Sequence, residues 1–291
     1  MLLPLLRLTR PANLVTAVAD ILAGTAIAGY LTYEYATFEP LGLLCLSTIG
    51  LYGGGVVFND IFDAQLDAEE RPERPIPSGQ VSLRSASLLG SVLLLIGVVA
   101  AWLVHPLSGW LAIAIAVFAL LYDQFGKHHP VLGPLNMGLC RGLNLLLGVS
   151  ILPEQVMPWA WVALLPIAYI GAITMISRGE VHGGSSGTLR IAGLLYGAVI
   201  ACIAAIAQSR GQLGTALPFL IIFGLFIFPP LWRAVREPVG KNIGMAVKAG
   251  VVSLIVMNAA WVAAFASFPF ALLVVCLLPL TRLLARVFAV T

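Results

Sequence analysis

Ten continuous apolar runs, at roughly residues 12–31, 41–58, 86–104, 107–122, 134–151, 159–176, 189–207, 214–232, 245–266 and 269–288, make up most of the chain. Most are near the ~20 residues that carry a helix, at 1.5 Å per residue, across a ~30 Å hydrocarbon core. Inside that core no water is present to pair a backbone N–H or C=O, so only helices and closed barrels can cross it. The runs do not alternate apolar with polar residues, which excludes barrel strands. About ten membrane-spanning helices are expected, with His105-Pro106 and Phe268-Pro269 turning two pairs of them into hairpins. The composition agrees: 60% of residues are hydrophobic and 10% charged, against about 25% charged in a soluble domain. No linker, low-complexity stretch or second unit interrupts residues 1–291, which are read as a single multi-pass domain.

Charge placement orients the bundle. With a cytoplasmic N-terminus, Arg7, Arg10, Arg71, Arg74, Arg84, Lys127, Arg141, Arg178, Arg190, Arg233, Arg236, Lys241, Lys248, Arg282 and Arg286 all fall at or near cytoplasmic helix ends, and Arg210 alone falls outside. That bias is the positive-inside rule, and it requires an even number of spans with both termini in the cytoplasm. Tyr30, Tyr33, Tyr35, Trp102, Trp110, Trp159 and Trp161 sit at the opposite ends, as interfacial aromatics do. The net charge of +3 therefore reports orientation and gives no sign of nucleic-acid binding. The start, MLLPLLRLTRP, has a very short apolar stretch and no small-residue cleavage site, so no removable signal peptide is expected. The expected location is a bacterial cytoplasmic membrane. Cys45, Cys140, Cys202 and Cys276 lie apart in apolar runs and are read as small packed hydrophobes. His105, His128, His129 and His182 include no pair at i, i+4 spacing, so zinc ligation by histidine is not expected.

One passage breaks the apolar pattern: FNDIFDAQLDAEERPERPIPSG, residues 58–79. Asp60, Asp63 and Asp67 are spaced i, i+3, i+7 and share a face if the second helix continues past the membrane boundary. Three carboxylates on one face repel each other unless a cation lies among them, and removing one is then expected to raise the melting temperature of the ligand-free protein. Mg²⁺ is the natural cation, since it prefers oxygen and bridges one or two carboxylates to substrate phosphates. A solvated charge run at a helix end is the plainer reading. Against it stand Gly53, Gly54 and Gly55, which allow close helix approach, and the scarcity of charge elsewhere. Asp20 lies about nine residues into the first span, on the face of Asn13 and Thr16. A carboxylate at that depth costs about 2.5–3.5 kcal/mol on insertion scales. It implies an acceptor-site or proton-handling role, or else a protonated Asp bonded to a neighbouring helix.

The sequence NDIFDAQLD followed by RPERPIPSG resembles the first aspartate-rich motif and the R-P-x-P-S-G tail of the UbiA-type intramembrane prenyltransferases. RLTRPANL is similar to that family's first-helix entrance, and LYDQFGKHHPVLGPLNMGLCRGLNLLLG to its Tyr-then-Lys loop and Arg-Gly-x-Asn helix. Within the superfamily, SRGEVHGG and VADILAG are similar to the EboC-like branch. The resemblance implies an all-α bundle of about nine or ten transmembrane helices around a central cavity. There a prenyl diphosphate is ionised with Mg²⁺ and its carbon chain joined to a hydrophobic or aromatic acceptor. On that analogy Asp60, Asp63 and Asp67 hold Mg²⁺ on the diphosphate, beside the oxygen donor Asn59. Arg74, Lys127, Arg141 and Arg178 are the available cations, and Asn13 and Asn144 orient polar groups in the cavity.

The sixth span departs from the family pattern. Where a second Asp-rich motif is expected, ISRGEVHGGSSG keeps only Glu180 as a metal ligand. Either the second metal is held more weakly, or Arg178 supplies part of its charge, or prenyl transfer has been lost. The glycines also suit a cradle of backbone amides for phosphate. Two other functions stay open: a transferase moving a phosphosugar to a polyprenyl phosphate, and a non-catalytic or transport-related protein of the same fold. Chain length of the prenyl group, acceptor and oligomeric state are not written in the sequence.

Overall fold

Proline and hydrogen-bonding side chains start the helices where the apolar runs begin. In the computed structural model, which describes residues 2–32, 34, 36–126, 129–181 and 183–288, the chain forms α1 (Leu2–Leu8), α2 (Pro11–Ile27), α3 (Phe38–Phe62), α4 (Ala64–Glu70), α5 (Leu83–Val104), α6 (Pro106–Leu121) and α7 (Leu132–Val149). There follow α8 (Val156–Trp159), α9 (Leu164–Ser177), α10 (Ser186–Ser209), α11 (Leu213–Arg236), α12 (Gly240–Phe265), α13 (Phe268–Val275) and α14 (Leu277–Val287). Each of the ten expected runs corresponds to a helix or a broken helix. Eight of these segments, among the described residues, are long and apolar enough to cross a membrane. The two that are not, α2 at 17 residues and α7 at 18, carry Asp20, Arg141 and Asn144.

The hairpin hinges are local chemistry. His105 is extended and its Nδ1 accepts the Leu107 N–H at 3.1 Å, while Pro106 opens α6 at a position where a missing N–H leaves no bond unmade. Ser267 is likewise extended ahead of Pro269 in α13. Ahead of α9 the chain, which carries Pro153 and Pro158, forms only short 3₁₀ and α turns.

Consecutive helices are spatial neighbours around the bundle, and α2 runs inside them, packed against α3, α7, α12 and α14. Glycine sets the closest approaches. A Cβ on Gly148 would meet the Ile21 carbonyl oxygen at 2.6 Å, and one on Gly24 would collide with that of Leu145. The backbones of α2 and α7 therefore touch, which brings Asp20 to Arg141 and Asn144. In α3, Gly54 packs on α5, with Leu94 and the Gly90 carbonyl under 3.0 Å from a Cβ built there, whereas Gly53 and Gly55 meet neighbours only at 3.4 Å or more. Of the three glycines ahead of the acidic motif, only Gly54 is required for packing.

Candidate active site

The acidic passage does not continue α3 as one straight helix. The helical runs stop at Phe62 and resume at Ala64, with Asp63 as the joint; its N–H bonds to the Asn59 carbonyl at 3.0 Å and its carbonyl accepts from Asp67 at 2.8 Å. The tail that follows folds back on it. The Ser78 N–H and hydroxyl both donate to the Arg74 carbonyl, at 3.0 and 2.7 Å, and Gly79 turns the chain at a φ of 74°. This turn aims the Arg74 side chain at the motif, where its guanidinium lies 2.6 Å from Asp67 and 3.4 Å from Asp60.

Asp60 has a second cation. Arg10, at the start of α2, pairs with it at 2.7 Å, and both carboxylates are nearly sealed from solvent, with side chains 7% exposed. Arg10 is the one non-glycine residue among those described with a left-handed backbone, at a φ of 46°, in the position before Pro11. The expected mutual repulsion of Asp60 and Asp67 is thus already neutralised by arginine, and the expected rise in melting temperature on removing one reverses sign. Breaking a buried pair leaves an uncompensated charge.

The motif borders a cavity of about 280 Å³. Arg10 and Asn59 stand at its polar rim with Tyr122 and Asp123, while Leu51, Val56, Ile115, Ala119 and Ile170 form apolar wall. Tyr122 and Asp123 belong to a π-helical turn, Tyr122–Gly126, that ends α6. Such turns shift the following side chains around the helix and recur at functional sites. Here the turn lets Asp123 accept the Asn59 amide N–H at 2.8 Å.

The deep side of the cavity is polar and fully bonded. The Arg141 Nε pairs with Asp20, and another of its nitrogens donates to the Thr16 carbonyl at 2.6 Å. Asn144 donates to Asp20 and to the Ala17 carbonyl, both at 3.0 Å, and accepts from Thr48 at 2.7 Å. Asn258 of α12 donates to the other Asp20 oxygen at 2.7 Å. Asp20 is buried and bonded to two neighbouring helices, through Arg141 and Asn144 of α7 and Asn258 of α12, which fits the reading of a carboxyl tied to its neighbours.

The remaining expected site residues divide. Asn13 is buried on α2, and its carbonyl accepts the Thr16 hydroxyl. Arg178 is exposed and donates to the His129 carbonyl, tying the end of α9 to the loop before α7. Tyr122 lies within electrostatic reach of both Arg178 and Asp63, and Glu180 within reach of Arg71. Arg178 thus shares a side of the bundle with Tyr122 and Asp63, and Glu180 with Arg71. Glu180 is half-buried, its Oε1 lacks a hydrogen-bond partner, and burial pushes its carboxyl above the usual range while Arg71 pulls it part of the way back. Lys127, like Tyr33, Tyr35, His128 and His182, lies outside the described residues.

One expectation is corrected. Among the described residues the glycine-rich loop offers no amide cradle from its glycines: the N–H groups of Gly179, Glu180, Gly183, Gly184 and Gly187 are spent on Ile176, Ser177, Gly179, Pro238 and the Ser185 hydroxyl. Cys140 is a free, partly buried thiol that also lines the cavity. Sequence reasoning missed Arg10, Asp123, Thr48 and Asn258 as site residues. Asn258 offered a signal, an amide in the middle of an apolar run, and Asp123 another, an acid at the end of a span.

A bundle whose polar-mouthed, apolar-walled cavity lies among membrane helices defines the class: an intramembrane enzyme for substrates with a charged head and a greasy tail. The UbiA prenyltransferase family model matches residues 22–242, and the chain belongs to that family. It is 30% identical over 224 residues to the digeranylgeranylglyceryl phosphate synthase of Methanoculleus marisnigri, covering 76% of this chain and 78% of the relative. To the enzyme of the same name from Methanosarcina barkeri it is 32% identical over 132 residues, 45% of each chain. In fold it resembles a UbiA homologue from Archaeoglobus fulgidus bound to DMAPP and Mg²⁺, with a TM-score of 0.69 at 14% identity over 91% of this chain and 99% of that one. The EboC-like branch finds no support in these matches.

Proposed function

We propose that this chain transfers a prenyl group from an allylic diphosphate to a lipophilic or aromatic acceptor inside the membrane, with Mg²⁺ on the diphosphate. The carrying observation is the polar rim of the cavity, where Arg10, paired with Asp60, stands with Asn59 and Asp123 above apolar walls. A diphosphate head fits the arginines, and an isoprenoid tail fits the walls.

The donors suit a hard cation: Asp60, Asp63, Asp67 and Asp123 offer carboxylate oxygens, Asn59 an amide oxygen, and Glu180 a buried oxygen with no bond of its own. Among the described residues no three acids, histidines or cysteines gather closely enough to hold an ion. That accords with Mg²⁺, which takes one or two carboxylates together with substrate phosphates and keeps several waters. When bound, the ion neutralises charge on the departing diphosphate oxygens. Arg10 and Arg74 hold the carboxylates in place beforehand, and their guanidiniums are then beside the diphosphate. Arg178 adds charge from the opposite side of the mouth, where the second acidic motif is reduced to Glu180. The apolar wall excludes water from the allylic carbon as positive charge develops on it. Asp20 serves as an anchor: with Asn258 it fixes Arg141 and Asn144 at the deep end of the cavity, which sets how far an acceptor can enter. Residues 1–291 act as one unit in this scheme.

Pyrophosphate release tests the reading. Purified protein with Mg²⁺ is offered allylic diphosphates of increasing length, with and without acceptors. The first acceptor to try is a prenylated glyceryl phosphate, the class named in the relatives' products. Acceptor-dependent release is expected. Diphosphate binding with no turnover under any acceptor would establish the carrier reading instead. We also place the cavity mouth and both termini on the cytoplasmic side, on the arginine and lysine bias. A reporter fused after Thr291 is expected to read as cytoplasmic, and an external reading would reverse the orientation.

A further inference from the structure

A groove separate from the cavity runs along the outer face of α10 and α11. At one end it is a hollow of about 1030 Å³ bounded by Arg190, Gly193, Trp232 and Arg236. Past Phe228 and Pro229, which border both, it continues as an almost wholly apolar trough of about 450 Å³ beside Ala204 and Gly224. The trough exists because the sequence withholds side chains there. Gly224 leaves room, since a Cβ on it would meet nothing closer than the Phe228 ring at 3.7 Å. The groove opens on the surface that faces lipid, with Leu194 75% and Leu225 64% exposed.

Its wide end is cationic without a counter-charge. Arg10, Arg74 and Arg141 are all committed to aspartates. Among the described residues Arg190 and Arg236 have no acidic partner; Arg236 lies over the Trp232 ring at 5.1 Å. The neighbouring Glu237 is turned to Asn242, which donates to both its carbonyl and its carboxylate. The N-terminal end of α10, with no acid in its first turn, adds the positive end of a 24-residue helix dipole at the same level. An apolar trough ending in two unpaired guanidiniums and an interfacial Trp matches one long chain ending in a phosphate.

We propose that this groove binds an anionic phospholipid, its acyl chain lying between α10 and α11 and its headgroup phosphate between Arg190 and Arg236. The site stands apart from the catalytic reading, and its test does not depend on turnover. Leu189 borders both this groove and the hollow beside Arg178 and Gly184. A bound lipid thus braces the loop at the cavity mouth.

The test uses the purified full chain in neutral detergent. The probes are phosphatidylglycerol, phosphatidylcholine with the same acyl chains, and free glycerol phosphate. Native mass spectrometry reads the retained lipid, and a thermal melt reads stabilisation. Phosphatidylglycerol is expected to be retained about tenfold over phosphatidylcholine and to raise the melting temperature, while glycerol phosphate does neither. The Arg190→Gln/Arg236→Gln pair brings the retention ratio close to one. Should that pair fail to fold, Arg190→Gln and Arg236→Gln singly are each expected to lower the ratio about threefold. Gly224→Leu fills the trough and lowers retention of both lipids while keeping their ratio. An unchanged ratio in the arginine variants would overturn the headgroup assignment, and unchanged retention in Gly224→Leu the chain assignment. Equal stabilisation by glycerol phosphate would make this a site for soluble anions and overturn the lipid.

Discussion

Two polar passages, residues 58–79 and 177–187, handle charge near a membrane in different ways. In residues 58–79, Asp60 and Asp67 are each met by arginine, with Arg74 returned by its own Ser78–Gly79 turn and Arg10 supplied by another helix. In residues 177–187, Glu180 has no hydrogen bond at Oε1, and Arg178 donates to the His129 carbonyl. The first passage is paired without ligand. The second leaves a half-buried carboxylate oxygen unbonded. A site that binds a diphosphate needs charge that is both held in place and available, and the two loops divide those tasks.

Asp60→Ala should break the comparison most forcefully. It leaves Arg10 and Arg74 without their shared partner in a nearly sealed site, which costs about 3–5 kcal/mol for a buried pair, and Mg²⁺-dependent diphosphate binding should vanish with it. Thermal melts and binding of a non-reactive diphosphate check both. Asp60→Asn is expected to lower the melting temperature as well, and a rise would show that acid repulsion outweighs the arginine pairs. Arg178→Ala is expected to leave the melting temperature nearly unchanged but to weaken diphosphate binding by about 1.5–3 kcal/mol, the range for a hydrogen bond to a charged group. A loss of stability matching that of Asp60→Ala would mean that the two loops are not distinct in kind.

Glu180→Gln is the finest probe. Burial raises the Glu180 carboxyl above its ordinary range, so the folded protein keeps that proton where the unfolded chain has lost it. Glu180 therefore stabilises below the ordinary Glu range, and the contribution fades as pH climbs through the raised value. The glutamine variant should flatten that slope and gain under about 1 kcal/mol at neutral pH, since the group is only half enclosed. It should also need more Mg²⁺ for half-maximal diphosphate binding. A melting curve with unchanged pH dependence would show that Glu180 titrates alike in the folded and unfolded chain.

Eight of the ten expected spans and the hinges at His105-Pro106 and Phe268-Pro269 were legible in the sequence, because lipid imposes a length and forbids unpaired backbone regardless of which helices touch. The acidic passage was legible too, since charge is rare in such a chain. Its partners were not. Nothing local joins Arg10 to Asp60, 50 positions away, or Asp20 to Asn258, 238 positions away. Those contacts follow from where α2 packs against α3 and α12, while Gly24 and Gly148 set its closest approach, to α7. Likewise the glycines of residues 179–187 suggested free amides, while the fold had already paired them. What the sequence determined by itself is whatever the solvent demands of each segment alone: helix, length, and a place where charge is tolerated. Which charges face which, and therefore whether Asp60 and Asp67 repel each other or rest on two arginines, only the tertiary structure decided, because Coulomb energy depends on distances between segments that no single segment encodes.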